Sequence, residues 1–181
     1  MKAICDKHGE YEAETVEIFG RTILSNCPIC EKELEEKEWE KSRQQAEKYA
    51  RQKLLDRGIE PEFFNATLDN YTPENDRESE ALSAVKKLRD GEINKLLLLG
   101  SNGTGKTHLA CALLKECGGV RITMFELSAK IRAGYKKGLS EVEVFDELLK
   151  NCLIVIDEVG RTKGSDAERN WLSYLVDKIH T

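Results

Sequence analysis

Apolar residues gather in short unbroken runs at 96–99 (LLLL) and 152–156 (CLIVI). Each run has the length and composition of a strand buried on both faces. A third strand is predicted at 120–125, entered through Gly118-Gly119. Between and around these runs the apolar spacing turns helical, predicting helices over 78–89 (stopped by Gly91), 109–115 (starting near Gly105), 127–137, 141–150 and from 167 onward. Strands alternating with helices predict an α/β fold with a doubly wound parallel sheet.

The N-terminal third reads differently. Residues 11–25 (YEAETVEIFGRTILS) look like a short hairpin turning near Gly20-Arg21. Residues 31–57 hold 8 acids and 8 bases with no Gly or Pro, which predicts one long helix. Its apolar residues (Leu34, Trp39, Ala46, Tyr49, Ala50, Leu54, Leu55) form a thin, irregular stripe. Such a helix either spans solvent as a linker or docks on a partner, with Trp39 as an anchor. Residues 59–73 are irregular, and Phe63, Phe64 and Tyr71 are expected to pack that segment on the core. The domain organisation that follows is 1–30, a metal knuckle; 31–57, the charged helix; 58–94, a connecting segment and helix; and 95–181, the core.

Chemistry enters where the leucine run ends. Gly100-Ser101-Asn102-Gly103-Thr104-Gly105-Lys106-Thr107 fits G-x-x-x-x-G-K-[ST] at every fixed position, followed by His108. Glycines let the backbone wrap an anion, and the following helix turns its positive dipole end to the phosphates. Lys106 can reach the β- and γ-phosphates, and the Thr107 hydroxyl can ligate Mg²⁺. A P-loop nucleotide site for ATP is expected, with Gly100 to His108 as its residues. The second apolar run ends in Asp157-Glu158. Asp157 suits the Mg²⁺-holding acid, and Glu158 suits the base that polarises the attacking water. With Lys106, Glu158 is the catalytic candidate.

Cys5-x-x-His8 and Cys27-x-x-Cys30 form two chelating pairs separated by 18 residues. Three soft thiolates and one imidazole point to Zn²⁺ in a closed structural site, as in a zinc ribbon. A disulfide or unpaired thiols are the competing readings; His8 and the absence of a secretory h-region weigh against a disulfide. Cys111, Cys117 and Cys152 lie in apolar patterns and are expected to be small buried hydrophobes.

The whole chain has a net charge of −5 and is 34% charged, with no apolar run approaching a membrane span. A cytoplasmic protein without a membrane partner is expected. Residues 58–94 carry 4 bases and 9 acids, whereas 95–140 carry 8 bases and 2 acids. The basic stretch falls where phosphates of nucleotide or nucleic acid would sit. Within it, Lys130, Arg132, Lys136 and Lys137 surround Tyr135, a ring on which a base of single-stranded DNA could stack. A solvated basic face with Tyr135 packed on the core is the other reading.

GSNGTGKTHLA, the aromatic-bearing FFNATLDNY before the core, and LIVIDEVGR together resemble the DnaC-type bacterial and phage helicase loaders, AAA+ ATPases of the IstB/DnaC-like group. Transposition helper ATPases look alike over the same core. The resemblance covers about residues 61–180, and the knuckle with its charged helix is similar to the N-terminal part of some phage-type members. It implies an AAA+ (ASCE-type) core that binds the replicative helicase through its N-terminal part and single-stranded DNA through residues 127–137. It also implies ATP hydrolysis acting as a switch, with a possible homo-oligomer formed through the core. In the family a sensor-bearing strand lies between the P-loop strand and the acidic-pair strand, followed by an arginine finger. This sequence shows neither, so the resemblance predicts a core incomplete at its C-terminus that binds ATP without hydrolysing it alone. Either the sheet has a gap beside the P-loop strand, or its two orphaned strands pair directly. A non-hydrolysing, zinc-containing adaptor with a vestigial ATPase half is the alternative from another class.

Overall fold

The structure is a computed structural model that describes residues 1–18, 21–160 and 164–178. It divides into two compact units, Met1–Ala50 and Arg51–Thr181.

The first unit is built from two hairpins and most of a helix. Strands β1 (Lys2–Cys5) and β2 (Gly9–Glu12) pair antiparallel, with Cys5 opposite Gly9 across a tight turn. Strands β3 (Thr15–Ile18) and β4 (Arg21–Leu24) pair from Thr15–Leu24 to Ile18–Arg21. The expected turn at Gly20 lies outside the described residues. Short hairpins have too little apolar surface to be stable alone, and polar ties join these two. The Tyr11 hydroxyl donates to the Ser25 carbonyl at 2.8 Å, and the Glu14 N–H donates to Ser25 Oγ at 2.9 Å. Helix α1 (Pro28–Asp56) starts on a proline, which suits a first helical position because its missing N–H would have no partner there. None of its 29 residues is buried. Its exposed side chains include Leu34, Trp39 and Tyr49, with Arg43 stacked on Trp39.

The second unit begins with the end of α1. The Gly58 N–H donates to the Leu55 carbonyl and the Ile59 N–H to the Leu54 carbonyl, the double bond of a Schellman stop. Gly58 has φ of 75°, and a Cβ there would sit 2.1 Å from the Arg121 carbonyl oxygen. Only glycine fits. Helices α2 (Asp76–Arg89) and α3 (Lys106–Cys117) follow. Strand β5 (Val120–Thr123) then leads through α4 (Met124–Lys136) and α5 (Glu141–Leu148) to β6 (Ile154–Asp157), with α6 (Asp166–Lys178) last. Strands β5 and β6 pair in parallel, from Val120–Ile154 to Thr123–Asp157. Thr123 and Ser140 each form a capping box, with Glu126 and Glu143, so β5 ends at Thr123 rather than running on to 125.

Three apolar clusters hold the unit. Met124, Leu127, Ile131, Phe145, Leu148 and Leu175 fill the space among β5, α4, α5 and α6. Leu68, Val85, Leu109 and Leu113 pack α2 and α3 with Phe63, Tyr71, Leu96 and Leu98. Ile59, Cys111 and Leu114 pack with Leu54, Phe64 and Val155. The 59–73 segment thus lies on the core through its aromatic side chains, as expected.

Two expectations are corrected. Residues 96–99 are not a hydrogen-bonded strand: Leu96 and Leu98 pack inward, while Leu97 and Leu99 are 73% and 83% exposed. Among the described residues β6 pairs only with β5, so direct pairing of 96–99 with β6 is not observed. A strand needs a neighbouring ladder for its backbone groups, and no described residues supply one here. Of the three core cysteines only Cys111 is buried. Cys117 ends α3 and Cys152 precedes β6, positions that face solvent whatever their apolar neighbours. Among the described residues no helix is long and apolar enough to cross a membrane.

The one-sided packing of 96–99 predicts that Leu98→Ala lowers stability by about 1–3 kcal/mol, whereas Leu99→Ala changes it by less than about 0.5 kcal/mol. Urea denaturation of the two variants checks this; equal losses would place both leucines in the core.

Candidate functional site

The P-loop sits between Leu99 and the first turn of α3. Gly105 is the N-cap of α3 at φ of 74°, and a Cβ there would come 2.4 Å from the ring of Tyr71. The Tyr71 hydroxyl donates to the Thr104 carbonyl at 3.0 Å, so the ring and its oxygen both brace the loop. Lys106 Nζ donates to the carbonyls of Ser101 (2.6 Å) and Gly100 (3.0 Å) and to Thr104 Oγ1 (3.3 Å). A phosphate is a stronger partner for an ammonium than a carbonyl is, so Lys106 is within reach of an anion held by the loop. The His108 ring is turned the other way, 3.0 Å from the Thr67 carbonyl and 5.6 Å from the Tyr71 ring.

Position 157 joins this loop to the sheet. Thr107 Oγ1 donates to Asp157 Oδ2 at 3.0 Å. The same oxygen accepts Arg121 Nε at 3.0 Å, and Oδ1 accepts the Glu158 N–H at 2.8 Å. Burial pushes the Asp157 carboxyl up, but the Glu158 N–H, Arg121 and Thr107 together hold it below the ordinary value. The group is therefore an anion at neutral pH. Glu158 has φ of 58° and is the non-glycine residue with positive φ among the described residues. A left-handed glutamate is uncommon, and strain of this kind gathers at functional sites. A hydroxyl and a carboxylate 3.0 Å apart beside a lysine and helix N-terminus have the donor chemistry that Mg²⁺ with a triphosphate requires.

A second cluster lies in the N-terminal unit. Cys5 ends β1, His8 lies in the following turn, Cys27 precedes α1 and Cys30 is in its first turn. Their ligand atoms all lie within 4.8 Å of one another. Cys5 and Cys30 sulfurs are 3.5 Å apart, and His8 Nδ1 is 3.7, 3.7 and 3.3 Å from the sulfurs of Cys5, Cys27 and Cys30. A tetrahedron with metal–sulfur bonds of about 2.3 Å has edges of about 3.8 Å, so the spacing fits Zn²⁺. The Lys7 and His8 backbone N–H groups pull the Cys5 thiol down to about 6, and its contact with Cys5 pushes Cys30 up to about 11. Adjacent thiols that resist ionising together are what a divalent cation relieves. His8 Nε2 faces Glu33 Oε1 at 3.3 Å, and Glu33 also pairs with Lys7. A carboxylate on Nε2 fixes the ring so that Nδ1 faces the sulfurs.

Of the basic residues on and after α4, Lys130 is 3.6 Å from Glu147 and the Tyr135 hydroxyl bonds Glu141. Tyr135 is half exposed, so its ring is not packed on the core. Arg132, Lys136 and Lys137 are exposed beside it.

Sequence reasoning missed Arg121 and the bracing role of Tyr71. The signal for Arg121 was a lone cation inside the strand pattern VRIT. A tyrosine in an irregular segment carried no comparable mark.

A P-loop helix and an acid-tipped parallel strand in a mixed α/β unit define a P-loop ATP-binding protein. The family described as IstB-like ATP binding protein matches residues 29–181, and the chain belongs to that family. The replicative helicase loader DnaC of Escherichia coli strain K12 is 30% identical over 130 residues, 67% of this chain and 53% of that protein. YdaV of the same strain is 32% identical over 136 residues, covering 70% and 55%. The replicative helicase loader DnaC of Buchnera aphidicola subsp. Acyrthosiphon pisum is 28% identical over 138 residues, covering 70% and 56%. The chain spans about half the length of these relatives.

The cluster predicts one Zn²⁺ per chain by elemental analysis, lost in Cys27→Ala. Glu33→Gln is expected to keep the metal but weaken its affinity by about 10-fold or more. An unchanged affinity would show that Glu33 is only a surface partner of Lys7.

Proposed function

We propose that this chain is the ATP-binding part of a helicase loader: a cytoplasmic DNA-replication protein that holds a replicative helicase and single-stranded DNA under control of bound nucleotide. The observation that carries the reading is the Thr107–Asp157 bond, which brings the P-loop helix and the acid-tipped strand together beside Lys106. The relatives named helicase loaders support the cellular role.

In this reading Gly100 to Thr107 wrap the phosphates and Lys106 neutralises the β- and γ-oxygens. Bound Mg²⁺ would draw charge from those oxygens, with Thr107 and Asp157 as the groups that hold it. Glu158 takes the proton of the attacking water, and its left-handed backbone sets it at the mouth of the strand. Single-stranded DNA lies along Lys130, Arg132, Tyr135, Lys136 and Lys137, with a base on the exposed ring. The zinc-bearing unit and α1 dock the helicase, because a helix that exposes Leu34, Trp39 and Tyr49 offers anchors without a core of its own. The parallel pair β5–β6 belongs to a doubly wound sheet, and the cores form a homo-oligomer.

A second reading has one observation in its favour. Among the described residues 96–99 enter the loop without a paired strand, which suits an adaptor that binds nucleotide but does not turn it over. A transposition helper ATPase shares the core and would lack the helicase partner.

Mg-ATP is expected to raise the melting temperature of the chain, and Lys106→Ala to abolish the shift. Glu158→Gln should keep the shift while lowering turnover, measured with helicase and DNA present, by about 100-fold or more. Binding without turnover in the wild type would select the adaptor; no shift in the wild type would defeat both readings.

A further inference from the structure

Arg121 is 7% exposed, the buried charged residue among those described, and it stands in the middle of β5. An unpaired charge there would be costly, and its partners define what it does. Nε donates to Asp157 Oδ2 at 3.0 Å. Nη1 donates to the Gly58 carbonyl at 3.0 Å and lies 3.5 Å from Glu60 Oε1. The Arg121 backbone N–H donates to the Arg57 carbonyl at 2.7 Å. One buried guanidinium therefore spans from the acid of the nucleotide site to the residues that close α1. An apolar side chain would serve a strand that merely packs. A planar fork that binds two acceptors in fixed directions serves to set one group relative to another.

We propose that Arg121 is a positioning residue for the magnesium–nucleotide site, holding Asp157 against Thr107 and tying that setting to residues 57–60 at the end of α1. The proposal rests on the nucleotide reading given above. It makes Mg-ATP occupancy and the order of residues 57–60 mutually dependent, since a coupling between two sites acts equally in both directions. The effect runs through Asp157 and therefore through the metal: metal-free ATP, which needs the loop and Lys106 alone, is indifferent to Arg121.

The test compares ATP affinity with Mg²⁺ and with EDTA for wild type, Arg121→Gln and Arg121→Lys, alongside amide hydrogen exchange over 57–60 and at Arg121. Arg121→Gln is expected to weaken Mg-ATP binding by about tenfold, the scale of a lost hydrogen bond to a charged group, and to leave metal-free binding unchanged. Arg121→Lys, which restores the charge without the fork, is expected between the two. Mg-ATP should slow exchange at Gly58, Ile59 and Arg121 in the wild type and not in Arg121→Gln. Should Arg121→Gln fail to fold, Glu60→Gln at the exposed end of the bridge leaves every Asp157 contact in place. It is expected to speed exchange at 57–60 and weaken Mg-ATP binding by about twofold, again without touching metal-free binding. Equal losses with and without Mg²⁺, or exchange at 57–60 that ignores nucleotide, overturn the proposal alone. A wild type that binds no nucleotide overturns it together with the reading beneath it.

Discussion

Three parts of the core meet at the carboxylate of Asp157. The P-loop helix reaches it through Thr107, strand β5 through Arg121, and its own chain through the Glu158 N–H. Each donor answers a physical need. A carboxylate at the end of a half-buried strand must be hydrogen-bonded to stay charged, and two of its three donors lie 36 and 50 positions away in sequence. Remove it, and the parallel pair β5–β6 loses its link to the loop, while the buried Arg121 is left with a carbonyl and an exposed glutamate. The nucleotide site and the packing of the core are in that sense one arrangement.

The N-terminal unit depends on a different constraint. Two hairpins of four-residue strands and a helix with no buried residue cannot supply an apolar core. What joins them is the convergence of Cys5, His8, Cys27 and Cys30, with Glu33 behind the imidazole. Because Cys30 and Glu33 lie in the first turns of α1, a metal bound there would fasten the start of the helix to the β1–β2 turn. A charged helix of this length gains little from its own packing, and such a fastening gives it a defined origin.

Much of this was legible in the residues. GSNGTGKT announces its chemistry because phosphate binding needs glycines and a lysine at fixed spacing, and Cys-x-x-His with Cys-x-x-Cys signalled the four side chains that the structure brings within 4.8 Å of one another. The order of helices and strands followed from apolar spacing, with ends displaced by a few residues where Thr123 and Ser140 cap their helices. The run LLLL misled, since composition reports that leucines prefer burial and not whether a neighbouring strand is there to pair with them. Cys117 and Cys152 misled for a related reason: apolar neighbours in sequence do not bury a residue at the end of an element. The cation in VRIT stood out, but the role of Arg121 did not, because its partners lie 36 and 63 positions away. Pattern reading registers periodicity along the chain, not a contact across it.

The most direct measurement is a crystal structure of the chain with Mg²⁺ and a non-hydrolysable ATP analogue. The account predicts the triphosphate in the loop of Gly100 to Thr107, with Lys106 released from the Ser101 and Gly100 carbonyls onto it. Thr107 should meet the metal while the Arg121–Asp157 pair stays closed. A nucleotide bound elsewhere, or a loop still closed on Lys106 at saturating analogue, would contradict it.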